Sequence, residues 1–392
     1  MNSSRPSVLF VLSRFPLPTD KGDRLRAWEQ IKVLSAHSNV YVICFHDAKT
    51  IPDTYAEEIR KYVREIRIFP ITKMDAFFAG LRMFTKIIPF QVGYFYHPWF
   101  KKELRHFIRE INPQTVLFQL NRMFPYATEV RGQKAALDLM DCMSHNILLR
   151  AHTEKKWIKW FWKWEYKRLL AYEEQAIQAF DHSYIISQRD KDKLPERVRH
   201  KVQIVSNGID TDTFTDKAGE RNTDILFVGN LGYKPNIEAC SWLIEEILPL
   251  LHQRNWFPIV RIVGSNPDRK VWKWAAVKGV HIHANVPETY PFYQDAKIMA
   301  APMRINTGQQ NKILEAMACG CNVVTTSNAN DGIQAPESCL LVADNSRDFA
   351  ELLWKLHRKE LNPGAHARQF VLDHFSWKKN TEEWVNLIRI KE

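Results

Sequence analysis

Short runs of apolar, often β-branched residues alternate along the chain with longer stretches whose apolar positions recur every three to four residues. In the first half the short runs fall at residues 7–12, 40–45, 115–120, 135–139, 183–186 and 203–206. Asn207, Gly208, Ile209 and Asp210 come next, and the polar stretch 211–223 shows no periodicity and reads as a linker. The pattern then restarts at 224–228 and continues at 260–263, 280–283, 298–301, 322–325 and 340–342. Brief apolar runs separated by helical patterns are what strands buried on both faces of a parallel sheet require. The layout predicts stacked βαβ units in an α/β chain, with two Rossmann-like domains. Its boundaries are 1–206 for the first domain, 207–223 for a hinge, 224–374 for the second domain and 375–392 for a terminal segment.

One helix is drawn by its own signals. Pro235 and Asn236 mark a start, Ala239, Cys240, Leu243, Ile244, Ile247 and Leu248 form one apolar face, and Pro249 is the expected stop. With 392 residues the chain exceeds a single core, and 45% apolar with 25% charged residues excludes wholesale disorder. The net charge of +11 biases the partners toward anions: phosphate esters, nucleic acid or an acidic membrane surface. The apolar run from Val8 to Leu12 is too short for a signal-peptide core or a membrane span, and Arg82 and Lys86 interrupt the greasiest later stretch. Six scattered cysteines without a CxxC pair indicate neither a zinc site nor a disulfide framework, which fits a reducing cytoplasm.

Four loops at strand ends carry candidate chemistry. The run from Gly308 through Gln309, Gln310, Asn311 and Lys312 to Glu315 lies between two predicted strands, at the start of a helix. A glycine there lets backbone approach a ligand, and first-turn N–H groups favour an anion such as a diphosphate. Lys312 and Glu315 share a helix face, offering an ammonium to phosphate oxygens and a carboxylate to ribose hydroxyls; a solvated Lys/Glu pair is the plainer alternative. Gly229, Asn230, Gly232 and Lys234 form a second loop, Gly22 with Arg24 a third, and Gly264 with Ser265 a fourth where a base or phosphate could rest. A tight turn or a charged helix start explains these equally well on spacing alone.

Taken together and in order, these elements resemble the GT-B glycosyltransferases of the large retaining group called family 4, and within it sugar transferases of bacterial exopolysaccharide clusters. The carriers are the loop 18–26, the Ser206-Asn207-Gly208-Ile209-Asp210 hinge with Phe214, the Phe227-Val228-Gly229 strand end with Pro235-Asn236, the helix 312–320, and Phe375-Ser376-Trp377 before a last helix. The resemblance implies two parallel-sheet domains facing a central cleft. It implies a nucleotide-diphosphate sugar as donor in the second domain and a saccharide or lipid-linked saccharide acceptor in the first. It also implies that the terminal helix crosses back to the first domain. Glu315 corresponds to the ribose-binding glutamate and Lys312 lies beside the diphosphate. Where the family has the first glutamate of an E-x7-E pair this chain has Thr307, and Asn230 stands at the usual arginine position with Lys234 near the lysine position. Retention is expected without a protein nucleophile, a metal or a cofactor: the leaving phosphate helps deprotonate the acceptor, and Asp141, after the strand at 135–139, is the acceptor-side candidate, a capping role being the alternative.

The stretch from Lys155 to Arg168 points elsewhere. On a helical wheel Lys156, Lys159, Lys163 and Lys167 form one stripe and Trp157, Trp160, Phe161 and Trp164 the neighbouring one. Lysines beside tryptophans suit an anionic membrane surface, which predicts a cytoplasmic protein peripherally bound to the inner face of the membrane. A nucleic-acid partner is not expected, since no recognition motif accompanies the basic charge. A catalytically silent subunit of the same fold, or a nucleotide-sugar epimerase, would share the phosphate features; only transfer to an acceptor separates them.

Overall fold

Among the described residues, thirteen strands form two all-parallel sheets. The computed structural model describes residues 5–19, 21–46, 51–72, 88–153, 156–217, 219–305, 309–380 and 382–388, without the side chains of 152–157. The chain divides into two units, one made of residues 1–206 with 381–392 and the other of 207–380.

In the first unit the seven strands run in the order β3-β2-β1-β4-β5-β6-β7. They are β1 (Ser7–Leu12), β2 (Asn39–His46), β3 (Glu65–Pro70), β4 (Thr115–Gln119), β5 (Lys134–Asp138), β6 (His182–Ile185) and β7 (Val202–Ile204). Successive side chains of a strand point to opposite faces. Accordingly Leu9, Val11, Ile43 and Phe45 join one buried cluster, while Val8, Phe10, Leu12, Val42 and Cys44 join the other. Both faces are therefore covered, as all-parallel sheets demand. Strand β3 is absent from the sequence reading because its residues are only partly buried and its Glu65 and Arg67 break the apolar run.

On the second face lie helix α1 (Gly22–His37) and, from the far end of the sequence, α5 (Glu382–Ile388). Trp384, Val385, Leu387 and Ile388 are buried there with Ala27, Trp28 and Ile31 of α1. Helix α2 (Lys156–Ala179) completes the elements used below for this unit.

The six strands of the second unit run β10-β9-β8-β11-β12-β13: β8 (Thr223–Val228), β9 (Val260–Gly264), β10 (Val280–Ala284), β11 (Ala296–Ala301), β12 (Asn322–Thr325) and β13 (Leu341–Val342). One continuous apolar core serves this sheet and its helices, among them α3 (Lys234–Trp242) and α4 (Asn311–Ala318). The helix expected to stop at Pro249 does not. After α3 it passes through a π-helical segment, Leu243–Ile247, into a further helical stretch, Leu248–His252. The wider turn accommodates the proline that lacks an N–H, and the burial of Leu243, Ile244, Ile247, Leu248 and Leu251 outweighs the stop signal. Residues 207–223 belong to this unit: Ile209 pairs with Ser376 in an isolated bridge, and Arg221 reaches the carbonyls of Ala296 at 2.6 Å and Cys319 at 2.6 Å.

Candidate active site

In the second sheet the chain runs outward from β8 through β9 to β10, then returns to the other side of β8 as β11. Open α/β sheets bind ligands outside the carboxyl ends of the strands at such a switch point. The loops after β8 and β9 meet there backbone to backbone. A Cβ on Gly264 would sit 1.7 Å from the carbonyl oxygen of Gly229. The Gly229 and Leu231 N–H groups donate to the carbonyls of Val263 at 3.0 Å and Ser265 at 2.8 Å. Gly264 is thus required by loop-to-loop packing before any ligand is considered.

Gly229 makes a different kind of room. A Cβ on it would lie 2.8 Å from Asn236 Nδ2 and 3.0 Å from Lys312 Nζ. Asn236, buried in the first turn of α3, donates from Nδ2 to the Asn230 carbonyl at 2.9 Å and accepts at Oδ1 from Lys312 Nζ at 2.6 Å. One amide therefore ties the loop after β8 to the first turn of α4.

Lys312 lies over the Phe227 ring, 4.8 Å from its centroid, and 3.6 Å from Met303 Sδ. No carboxylate is bonded to it among the described residues. Burial consequently lowers its pKa from 10.5 to about 8, only partly opposed by Cys240 and Glu315. Glu315, one turn on, accepts from the Tyr293 hydroxyl at 2.8 Å through Oε2. Burial raises the Glu315 pKa, with Tyr293 and Lys312 pulling the other way; burial and then Glu315 hold the Tyr293 phenol well above its usual value. The tyrosine fixes one carboxylate oxygen and leaves the other without a partner among the described residues. At the far end of α4, Arg221 and Arg368 donate to the Cys319 and Ala318 carbonyls at 2.6 Å and 2.5 Å, and Gly320 adopts φ +69°. These contacts satisfy the last helical carbonyls and stiffen the helix that carries Lys312 and Glu315.

Other residues singled out in the sequence are placed as follows. Asn230 accepts at Oδ1 from its own loop's Gly232 N–H at 3.0 Å, Lys234 is exposed at the start of α3, and Ser265 is exposed. Gln309 donates to the Asn207 carbonyl at 3.2 Å, while its Oε1 is buried without a partner among the described residues; Gln310 precedes the first turn of α4. Thr307 and Gly308 lie outside the described residues. Sequence reasoning missed Tyr293, whose contact with Glu315 spans 22 positions, and the two arginines behind α4. It quoted Asn236 as a helix start and as a carrier of the resemblance, without a role in the site; a polar residue beside a glycine loop was the available signal.

In the first unit Gly22 opens α1 and its missing Cβ meets nothing closer than Met140 Cε at 3.8 Å, so no close approach requires the glycine. Arg24 is buried. Asp138, at the end of β5 three residues before Asp141, is fully buried, paired with Arg26 Nε at 2.6 Å and bonded by Gln30 Nε2 at 2.7 Å. Asp141 is partly buried; burial, then Asp190, push its pKa up to about 6 against the hydrogen bond from Asn146, which measures 2.9 Å.

Residues 222–359 match the family described as glycosyl transferases group 1. The match lies within the second unit. The fold of the chain is GT-B, the fold of similar solved structures. Sucrose-phosphate synthase from Thermosynechococcus elongatus aligns with TM-score 0.65 at 12% identity over 98% of each chain. A glycosyltransferase from Rickettsia africae aligns with TM-score 0.67 at 12% identity over 98% of this chain and 99% of that one. Anabaena HepE in complex with UDP-glucose aligns with TM-score 0.62 at 11% identity over 97% and 98%. In sequence, an uncharacterized 44.6 kDa protein in the cps region of Klebsiella pneumoniae is 22% identical over 393 residues, 89% of each chain.

No helix among the described residues is long and apolar enough to cross a membrane. Helix α2 presents Trp160, 73% exposed, and Trp164, 37% exposed, with Lys163 and Lys167 also exposed and Lys159 partly so. Phe161 is partly buried, and Lys155 and the side chains of Lys156 and Trp157 lie outside the described residues. Opposite this face, Trp162 and Tyr166 pack on Leu169, Met143 and Ile147.

Proposed function

We propose that this protein moves a sugar from a nucleotide-diphosphate sugar, with retention, to a saccharide or lipid-linked saccharide in cell-surface polysaccharide synthesis. The observation that carries the donor assignment is Lys312. Its ammonium is buried at the switch point, hydrogen-bonded to a neutral amide and matched by no bonded carboxylate. A diphosphate supplies the missing negative charge, and the charge that grows on it as the glycosidic bond breaks is stabilised where water is scarce. Glu315, steadied by Tyr293, keeps an oxygen for a ribose hydroxyl. Anabaena HepE, which binds UDP-glucose, supports the same donor class, and the cps-region relative supports a polysaccharide product.

Retention follows in this reading from the leaving diphosphate, which accepts the acceptor's proton on the face it departs from. The lysine then needs to hold the phosphate rather than exchange protons with it. The exposed Trp160 and Trp164 beside Lys163 and Lys167 favour an acceptor met at an anionic membrane surface. Each such lysine contributes about 1 kcal/mol, so the aromatics must reinforce a marginal attraction.

Lys312→Ala and Glu315→Ala test the assignment in a transfer assay with purified lipid-linked saccharides and a panel of nucleotide sugars. Each lost charged contact is worth roughly 1.5 to 3 kcal/mol, so transfer should fall at least about tenfold while the circular dichroism spectrum is unchanged. Wild-type rates in both variants would remove the site.

A further inference from the structure

The first sheet has a switch point of its own between β1 and β4, and unsatisfied polar groups gather at its carboxyl end. Register pairs Val11 of β1 with Phe118 of β4, so the residues that follow the two strands emerge side by side. After β1, Ser13 is 1% exposed and its Oγ has no hydrogen-bond partner among the described residues; after β4, Asn121 Oδ1 and Arg122 Nε are likewise buried and unpartnered among them. Asn121 is pinned through its Nδ2, which donates to Glu173 at 3.3 Å. Buried polar atoms of a folded protein are nearly always satisfied, so three orphans on adjoining strand ends point to a group that arrives from outside.

Arg122 says what that group carries. Its guanidinium lies over the Phe95 ring, 4.9 Å from the centroid, and forms no ion pair or hydrogen bond among the described residues. The charged groups in electrostatic reach are Arg14, Asp23 and Asp141. Asp23 is taken by Arg14 at 2.6 Å, and Asp141 by Asn146. An arginine cannot shed its charge at ordinary pH, and a planar cation left half-buried on an aromatic face presents its fork to an oxyanion. Leu120 and Met140, immediately before Asn121 and Asp141, have φ of +66° and +63°. Left-handed backbone at bulky residues is a local cost that marks functional turns.

We propose that the carboxyl end of the first sheet is a subsite for an anionic saccharide, in which Arg122 takes the oxyanion and Ser13 and Asp141 take neighbouring hydroxyls. This rests on the transferase reading and narrows its acceptor to a sugar carrying a phosphoryl or carboxylate group. Neutral saccharides leave the arginine unmatched and bind weakly.

The experiment uses the full chain and arginine-selective labelling by phenylglyoxal, with the rate at Arg122 read by peptide mass spectrometry. Glucose 1-phosphate, glucuronate and glucose are the probes. Protection of Arg122 by glucose 1-phosphate alone assigns a phosphoryl acceptor, protection by both anions assigns any oxyanion, and neutral glucose should protect in neither case. Arg122→Gln should weaken binding of the protecting anion at least about tenfold, with Arg122→Lys between the two. Equal labelling with and without either anion, or protection by glucose as strong as by the anions, overturns the subsite. UDP binding by the same preparation reads the second unit separately, so a protein that binds UDP but shows no protection at Arg122 fails only this inference.

Discussion

Titrating Lys312 offers a direct check of the proposed donor site. Burial moves its ammonium from 10.5 to about 8, a bias toward the neutral amine of about 3 kcal/mol at roughly 1.4 kcal/mol per pH unit. A diphosphate beside it reverses that bias, so binding selects the charged form. Below about pH 8 the free protein already carries the charge, and affinity for UDP is level. Above it, each further pH unit costs about a factor of ten, until the lysine deprotonates in the complex as well. The fold responds with the opposite sign: its lowered pKa means the buried ammonium weighs on stability below about pH 8, and that cost is relieved between about 8 and 10.5. Cys240 and Tyr293 stay out of this window, because burial pushes both of their pKa values up. Calorimetric titration of UDP from about pH 7 to 9, run beside Lys312→Met, separates the lysine from every other group. A wild-type affinity that stays level across the range, or a slope that survives in Lys312→Met, refutes the reasoning.

Gly264→Ala places a Cβ 1.7 Å from the Gly229 carbonyl oxygen; the loops must part, and urea denaturation should show a loss of about 1 to 3 kcal/mol together with weaker UDP binding. Wild-type values in both would mean that the loops are further apart in solution. Trp384→Ala removes a fully buried ring packed 4.4 Å from Tyr184 and 5.4 Å from Arg26, which should cost about 3 to 5 kcal/mol; a change below about 1 kcal/mol would detach the terminal helix from the first unit. Replacing Trp160 and Trp164 together by serine should abolish sedimentation with phosphatidylglycerol vesicles at low salt while leaving stability within about 0.5 kcal/mol, since both rings are exposed. Continued sedimentation of that variant removes the membrane contact.

What the sequence determined by itself is whatever nearest neighbours along the chain decide. Strand runs such as 8–12 and 225–228 declare themselves because a strand buried on both faces is apolar along its length, and the glycines at 229 and 264 stand out at strand ends. Lys312 and Glu315 are legible as a pair because helix geometry puts residues three apart on one face. Tertiary structure decided the rest through contacts between distant segments. Pro249 fails to end its helix because Leu248 and Leu251 are drawn into the core, which outweighs a local stop signal. Asp138 becomes half of a core ion pair because Arg26, 112 positions away, is buried against it. The low pKa of Lys312 arises from burial among Phe227, Met303 and Asn236, from three different segments of the chain, around an ammonium that the sequence shows only as a lysine at the start of a helix. Desolvation depends on what surrounds a group in space, and that arrangement exists only once the sheet has brought the strand ends together.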